Sequence, residues 1–93
     1  MLISPDEIKK SVSKKGWEYS NKKIAKSFDF SSYNDNIKFV NNIANLAESL
    51  NHHPIITINP SNVKIEIYSI QFNGITTKCI NLAMKIDAIY NTN

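Results

Sequence analysis

The chain has 93 residues, 42% hydrophobic and 20% charged, with a formal net charge of +3. A chain of that length buries only roughly 60 to 65% of its unfolded surface, so we expect one core and one domain over residues 1–93. The composition excludes disorder, collagen-like repeats and a disulfide scaffold. The lysines fall in pairs among acidic residues (Lys9-Lys10, Lys14-Lys15, Lys22-Lys23) and form no basic block, which argues against a nucleic-acid partner.

The opening run Met1-Leu2-Ile3-Ser4-Pro5-Asp6-Glu7 meets acidic residues at once and offers no apolar stretch for a signal peptide. No segment approaches the roughly 20 apolar residues needed to span a bilayer, and a cytoplasmic protein is expected. Ser4 reads as an N-cap, with Pro5 at the first helical position and Glu7 completing a capping box, for a helix running to about Lys14. Gly16 breaks it. Trp17–Tyr19 and Lys23–Phe30 then carry strand periodicity on either side of polar Ser20-Asn21-Lys22, a hairpin in which Ile24, Phe28 and Phe30 share the inward face.

Ser31 or Ser32 can cap a long central helix over Tyr33–Leu50, whose spacing of three and four places Ile37, Val40, Ile43, Ala44, Ala47 and Leu50 on one face. The polar run Asn51-His52-His53-Pro54 ends it, because a residue before proline is pushed out of helical dihedrals. Strands over Ile55–Ile58 and Val63–Ile70, joined by Asn59-Pro60-Ser61-Asn62, give a second hairpin. Thr76 is the expected N-cap of a last helix that carries Ile80, Ala83, Met84, Ile86 and Ile89 to about Tyr90. The order α-β-β-α-β-β-α predicts an α+β fold: a four-stranded antiparallel sheet with helices packed on one face.

Cys79 is the chain's one cysteine. It cannot close an internal bridge or build a zinc site with other thiols, fits a reducing compartment, and reads as a small packed residue near a helix start. The segment richest in chemistry is Glu48-Ser49-Leu50-Asn51-His52-His53-Pro54, which sets a carboxylate and both histidines within six residues. Histidine titrates near neutrality and is the commonest general acid or base. Paired histidines in a loop are more often solvated turn residues. A metal site is not expected, since Glu48 alone completes a thin ligand set and no His-x-x-x-His spacing is present.

Taken in order, Gly16-Trp17-Glu18, the run His52-His53-Pro54 after Glu48 and Leu50, Val63-Lys64-Ile65-Glu66-Ile67, Gly74-Ile75-Thr76 and Ile80-Asn81-Leu82-Ala83 resemble the pattern of the pterin-4a-carbinolamine dehydratases. The resemblance spans essentially the whole chain and implies that family's fold. It also implies loss of water from a 4a-hydroxytetrahydropterin, giving a quinonoid dihydropterin, with no metal or organic cofactor. His52 and His53 then become the catalytic pair, with Glu48 orienting an imidazole or contacting the pterin. Asn51, Pro54, Tyr68 and Ser69 join Glu48 as substrate-binding candidates.

Four departures stand out. The histidine that ends the family's second-hairpin strand falls at Ile70, its neighbouring threonine at Ser69, and the acidic position of the last helix at Cys79. Asn51 also replaces an acidic residue. Isoleucine transfers no proton, so Tyr68 or Glu66, which share Ile70's face if the strand continues, are candidates to compensate. The resemblance further implies a homo-dimer or homo-tetramer. The second reading is a noncatalytic protein-binding member of the same fold, a dimerisation or assembly factor, with a protein partner.

Overall fold

The computed structural model describes residues 2–92. Helix α1 spans Pro5–Ser11, with Ser4 Oγ accepting from Glu7 N–H at 3.2 Å. A 3-10 turn, Ser13–Lys15, follows, so the α-helix stops short of the expected Lys14. Gly16 closes this turn at φ 98°, a left-handed conformation that glycine adopts freely. A Cβ there would also lie 3.3 Å from Lys26 Cε, so the residue is fixed by its neighbour as well as by its dihedrals.

Strands β1 (Glu18–Ser20) and β2 (Lys23–Asp29) form the first hairpin. Its two-residue loop, Asn21-Lys22, has positive φ at both positions, 52° and 64°, the twist that two-residue hairpins favour. Helix α2 spans Tyr33–Leu50 as the periodicity predicts, and Ser32 is the cap. Strands β3 (Ile55–Ile58) and β4 (Asn62–Ile67) form the second hairpin, and α3 covers Thr77–Asn91 behind the Thr76 cap. All pairings are antiparallel, in the order β1-β2-β4-β3. β3 is therefore an edge strand, and Ile55 and Ile58 stay substantially exposed on it.

Further expectations are corrected. Strand β4 stops at Ile67, not Ile70: its pairing with β2 ends at Ile24 and its pairing with β3 at Ile55. The chain instead folds back on itself, with Ser69 and Gly74 exchanging backbone bonds of 2.7 and 3.3 Å and Asn73 left-handed between them. Ile70 rides on this turn, 83% exposed. The buried face of α2 is also rotated: Asn36, Phe39, Ile43 and Ala47 point inward, while Ala44 and Leu50 face solvent. Phe39 sits 5.0 Å, centroid to centroid, from both Phe28 and Phe30, which draws the helix round. Asn36 is buried because its amide donates to Asn59 O at 2.6 Å and Pro60 O at 3.2 Å, tying the start of α2 to the β3–β4 turn.

In α3, Cys79, Leu82, Ala83 and Ile86 enter the core beside a charged residue, Asp87, whereas Met84 is exposed. Asp87 accepts from Trp17 Nε1 at 3.0 Å and from Lys26 Nζ at 2.8 Å. Lys26 also donates to Lys15 O at 2.7 Å and lies over the Phe28 ring. One carboxylate thus joins α3, β2 and the entry to β1. Removing one partner of a buried pair strands the other charge, which costs about 3 kcal/mol or more. We expect Asp87→Ala to lower stability by about that amount in urea unfolding followed by Trp17 fluorescence; an unchanged midpoint would mean the network contributes nothing.

Candidate active site

Helix α2 ends at Asn51, which is left-handed at φ 51°, ψ 43°. Its N–H bonds Glu48 O at 3.2 Å, and His52 N–H reaches back to Ala47 O at 3.0 Å. This Schellman arrangement satisfies two terminal carbonyls and turns the chain sharply. The helix is thus stopped by Asn51 before Pro54 takes effect, and Pro54 then holds His53 extended as the chain enters β3. The two histidines leave the turn in different directions.

His53 folds back one turn, and its Nε2 bonds Glu48 Oε2. The ring is 57% exposed. A carboxylate only accepts, so this contact makes Nε2 the protonated nitrogen of His53. His52 turns toward the start of α3, where its Nε2 lies 3.4 Å from Cys79 Sγ. Burial holds the His52 pKa below its ordinary value of about 6.5, and the positive charges of Lys78 and His53 lower it further. Both effects favour the neutral imidazole.

Both histidines open onto a cavity of about 680 Å³ between the end of α2, the Ser69–Gly74 turn and the start of α3. Asn51, Tyr68 and Ser69 also line it, as do Ile70 and Phe72. Glu48 and Pro54 do not, and Glu48 meets the lining only through its bond to His53. Ser69 Oγ accepts from Phe72 N–H at 3.2 Å and so braces the turn, which leaves its own proton free to donate. Glu66 lies elsewhere, 4.0 Å from Lys23 on the outer sheet face, in a separate concavity. Lys23 also sits over the Tyr68 ring, 5.3 Å from its centroid. Sequence reasoning did not single out Phe72 or Lys78 at this site; only the fold-back at Ser69 and the cap at Thr76 bring them there. Among the described residues no group of three or more His, Cys, Asp or Glu side chains is placed to hold a metal ion.

A polar turn bearing two imidazoles, one beside a carboxylate and one partly buried, faces apolar Ile70 and aromatic Phe72 and Tyr68. Such a site can grip a flat polar ring and move protons at its edge. The family profile described as "Pterin 4 alpha carbinolamine dehydratase" matches residues 1–89, and the chain belongs to that family. A "Putative pterin-4-alpha-carbinolamine dehydratase" of Sulfolobus acidocaldarius is 32% identical over 90 residues, covering 96% of this chain and 99% of the relative. One of the same description from Aquifex aeolicus is 34% identical over 88 residues, covering 94% and 89%. The crystal structure of a transcriptional coactivator/pterin dehydratase from Brucella melitensis superposes with a TM-score of 0.90 at 26% identity, covering 97% of this chain and 99% of the other. A pterin dehydratase-like protein identified as a RuBisCO assembly factor in the alpha-carboxysome gives a TM-score of 0.67 at 23% identity, covering 80% and 86%. That second likeness speaks for the fold alone.

The depressed His52 pKa carries a consequence for stability. Between about pH 6.5 and the lowered value the unfolded chain binds a proton that the folded chain does not, so stability falls as the pH drops through that window. In an NMR titration we expect His52 to titrate acidic of 6.5 and Lys78→Gln to move it upward. A His52 midpoint at or above 6.5 would contradict the assigned burial.

Proposed function

We propose that the protein is a 4a-hydroxytetrahydropterin dehydratase, a hydro-lyase that releases water to give the quinonoid dihydropterin during pterin recycling. The observation that carries this reading is the convergence of His53 with its Glu48 partner and neutral His52 on one cavity. Elimination needs a proton delivered to the departing 4a-hydroxyl and a proton removed from a ring nitrogen. His53 in its protonated form gives the first, water leaves, and the neutral imidazole then takes the ring-nitrogen proton and is restored. His52 stays neutral and holds the pterin by hydrogen bonding. Asn51 and the free proton of Ser69 add polar contacts, while Phe72 and Tyr68 supply aromatic surface for the ring. The reaction itself draws on no metal or organic cofactor.

This apparatus has one proton-moving imidazole, with Ile70 where the family carries a further histidine. One acid–base group contributes on the order of 10²–10⁴ in rate, so the enzyme is a slow one. Tyr68 lines the same cavity and is the better placed of the two compensating candidates, since Glu66 is engaged with Lys23. The reading also takes the protein to be cytoplasmic, with Cys79 reduced, and a homo-dimer or homo-tetramer. Exposed Ile55 and Ile58 on edge strand β3 support self-association.

Stopped-flow absorbance of 4a-hydroxytetrahydropterin dehydration tests the proposal. Acceleration over the spontaneous reaction is expected, with a loss on the order of 10² or more in His53→Ala and a gain of up to roughly 10² in Ile70→His. If wild type and Ile70→His both leave the spontaneous rate unchanged, the dehydratase reading fails. A second reading then stands, a noncatalytic protein-binding module. Its support is the apolar pair on the Ser69–Gly74 turn, Ile70 at 83% and Phe72 at 45% exposed.

A further inference from the structure

Cys79 is the third residue of α3 and has no exposed surface. Its sulfur has two polar side-chain neighbours, Thr76 Oγ1 at 3.4 Å and His52 Nε2 at 3.4 Å. The threonine hydroxyl accepts from Cys79 N–H at 3.4 Å, as an N-cap does, and its own proton goes to the sulfur. With the Thr76 hydroxyl already donating to the sulfur, the thiol proton is left with Nε2 of His52 as its polar side-chain acceptor, and an Nε2–H directed at the sulfur would leave that proton unpaired inside the protein. Each group in this chain spends its proton on the next: Thr76 O–H to Cys79 S, Cys79 S–H to His52 Nε2.

We propose that Cys79 is a positioning residue whose thiol donates to Nε2 of His52 and fixes that ring as the Nδ1–H tautomer. The groups facing His52 agree with a neutral ring. Lys78 from α3 opposes a positive charge there, as does His53 whenever that ring is itself protonated. Tyr68, just past the end of β4, lines the same cavity. His53 has the reverse arrangement, with Nε2–H given to Glu48 and Nδ1 left as the acceptor. Two consecutive histidines are thereby set in opposite tautomers, by a carboxylate on one side and a thiol on the other. For a ligand in the cavity, His52 is a hydrogen-bond donor through Nδ1 and not a base, and proton transfer falls to His53. That last step rests on the dehydratase reading; the tautomer itself does not.

Long-range ¹H–¹⁵N correlation of the imidazole rings tests this on the ¹⁵N-labelled full chain at neutral pH without any pterin, with His53→Gln to assign the two rings. In wild type His52 is expected to show a protonated Nδ1 and an unprotonated Nε2. Cys79→Ser keeps a donor at that position and retains the pattern. Cys79→Ala loses it, and the ring moves toward the Nε2–H form that free imidazole side chains favour. A protonated Nε2 in wild type overturns the proposal, whether as the neutral Nε2–H form or as an imidazolium beside a thiolate. So does a wild-type pattern that persists in Cys79→Ala. Because no substrate is present, an Nδ1–H ring in a protein that fails to accelerate pterin dehydration sinks the dehydratase reading alone. An active enzyme with His52 protonated on Nε2 sinks this proposal alone.

Discussion

The turn at Asn51 is the constraint on which the site depends. A left-handed residue with a side chain costs roughly 1–2 kcal/mol, less for asparagine, whose short amide tolerates the conformation. That cost is offset by the carbonyls of Ala47 and Glu48, which would otherwise end α2 without partners and here receive the N–H groups of His52 and Asn51. Once the chain has turned, Pro54 keeps it extended into β3. His52 is then carried to the start of α3, and His53 is left beside Glu48 one turn up the helix. A continued helix would instead separate the two rings by about 100° on one cylinder, with neither near Cys79.

Much of this was legible in the residues, and the reasons are local. Caps at Ser4 and Thr76, and one of the pair Ser31-Ser32, announce themselves because a short hydroxyl before an amphipathic run has few better uses. The limits of β3 and α2 fall where their periodicities place them, although the buried face of α2 does not. What stayed hidden is set by partners distant in the chain. Asn36 looks like a solvent residue until its amide meets two carbonyls of the β3–β4 turn, 23 and 24 positions away. Asp87 looks like a surface charge until Trp17 and Lys26 reach it from 70 and 61 positions away. The end of β4 depends on where β2 and β3 begin, which no window over Val63–Ile70 contains.

The candidate site divides the same way. His52, His53 and Glu48 lie close in sequence, and their chemistry suggested a site before any fold was drawn. Their separate environments did not follow from adjacency, because Cys79 contacts His52 across 27 positions. The family motifs pointed to Ile70 and Cys79 as departures. The fold gives them different meanings: Ile70 sits on an exposed turn at the mouth of the cavity, where a histidine could be restored without disturbing the core, whereas Cys79 is packed inside and touches a site residue. Ile70 leaves no imidazole on that turn, and the thiol of Cys79 lies against Nε2 of His52.

The claim beneath all of this is that a reduced pterin occupies the cavity between the end of α2 and the start of α3. Chemical-shift mapping with 7,8-dihydrobiopterin on the ¹⁵N-labelled chain tests it without depending on turnover. We expect saturable shifts at His52, His53, Ser69 and Phe72. Shifts confined to Glu18, Lys64 and Glu66 on the outer sheet face, or none at all, would contradict it.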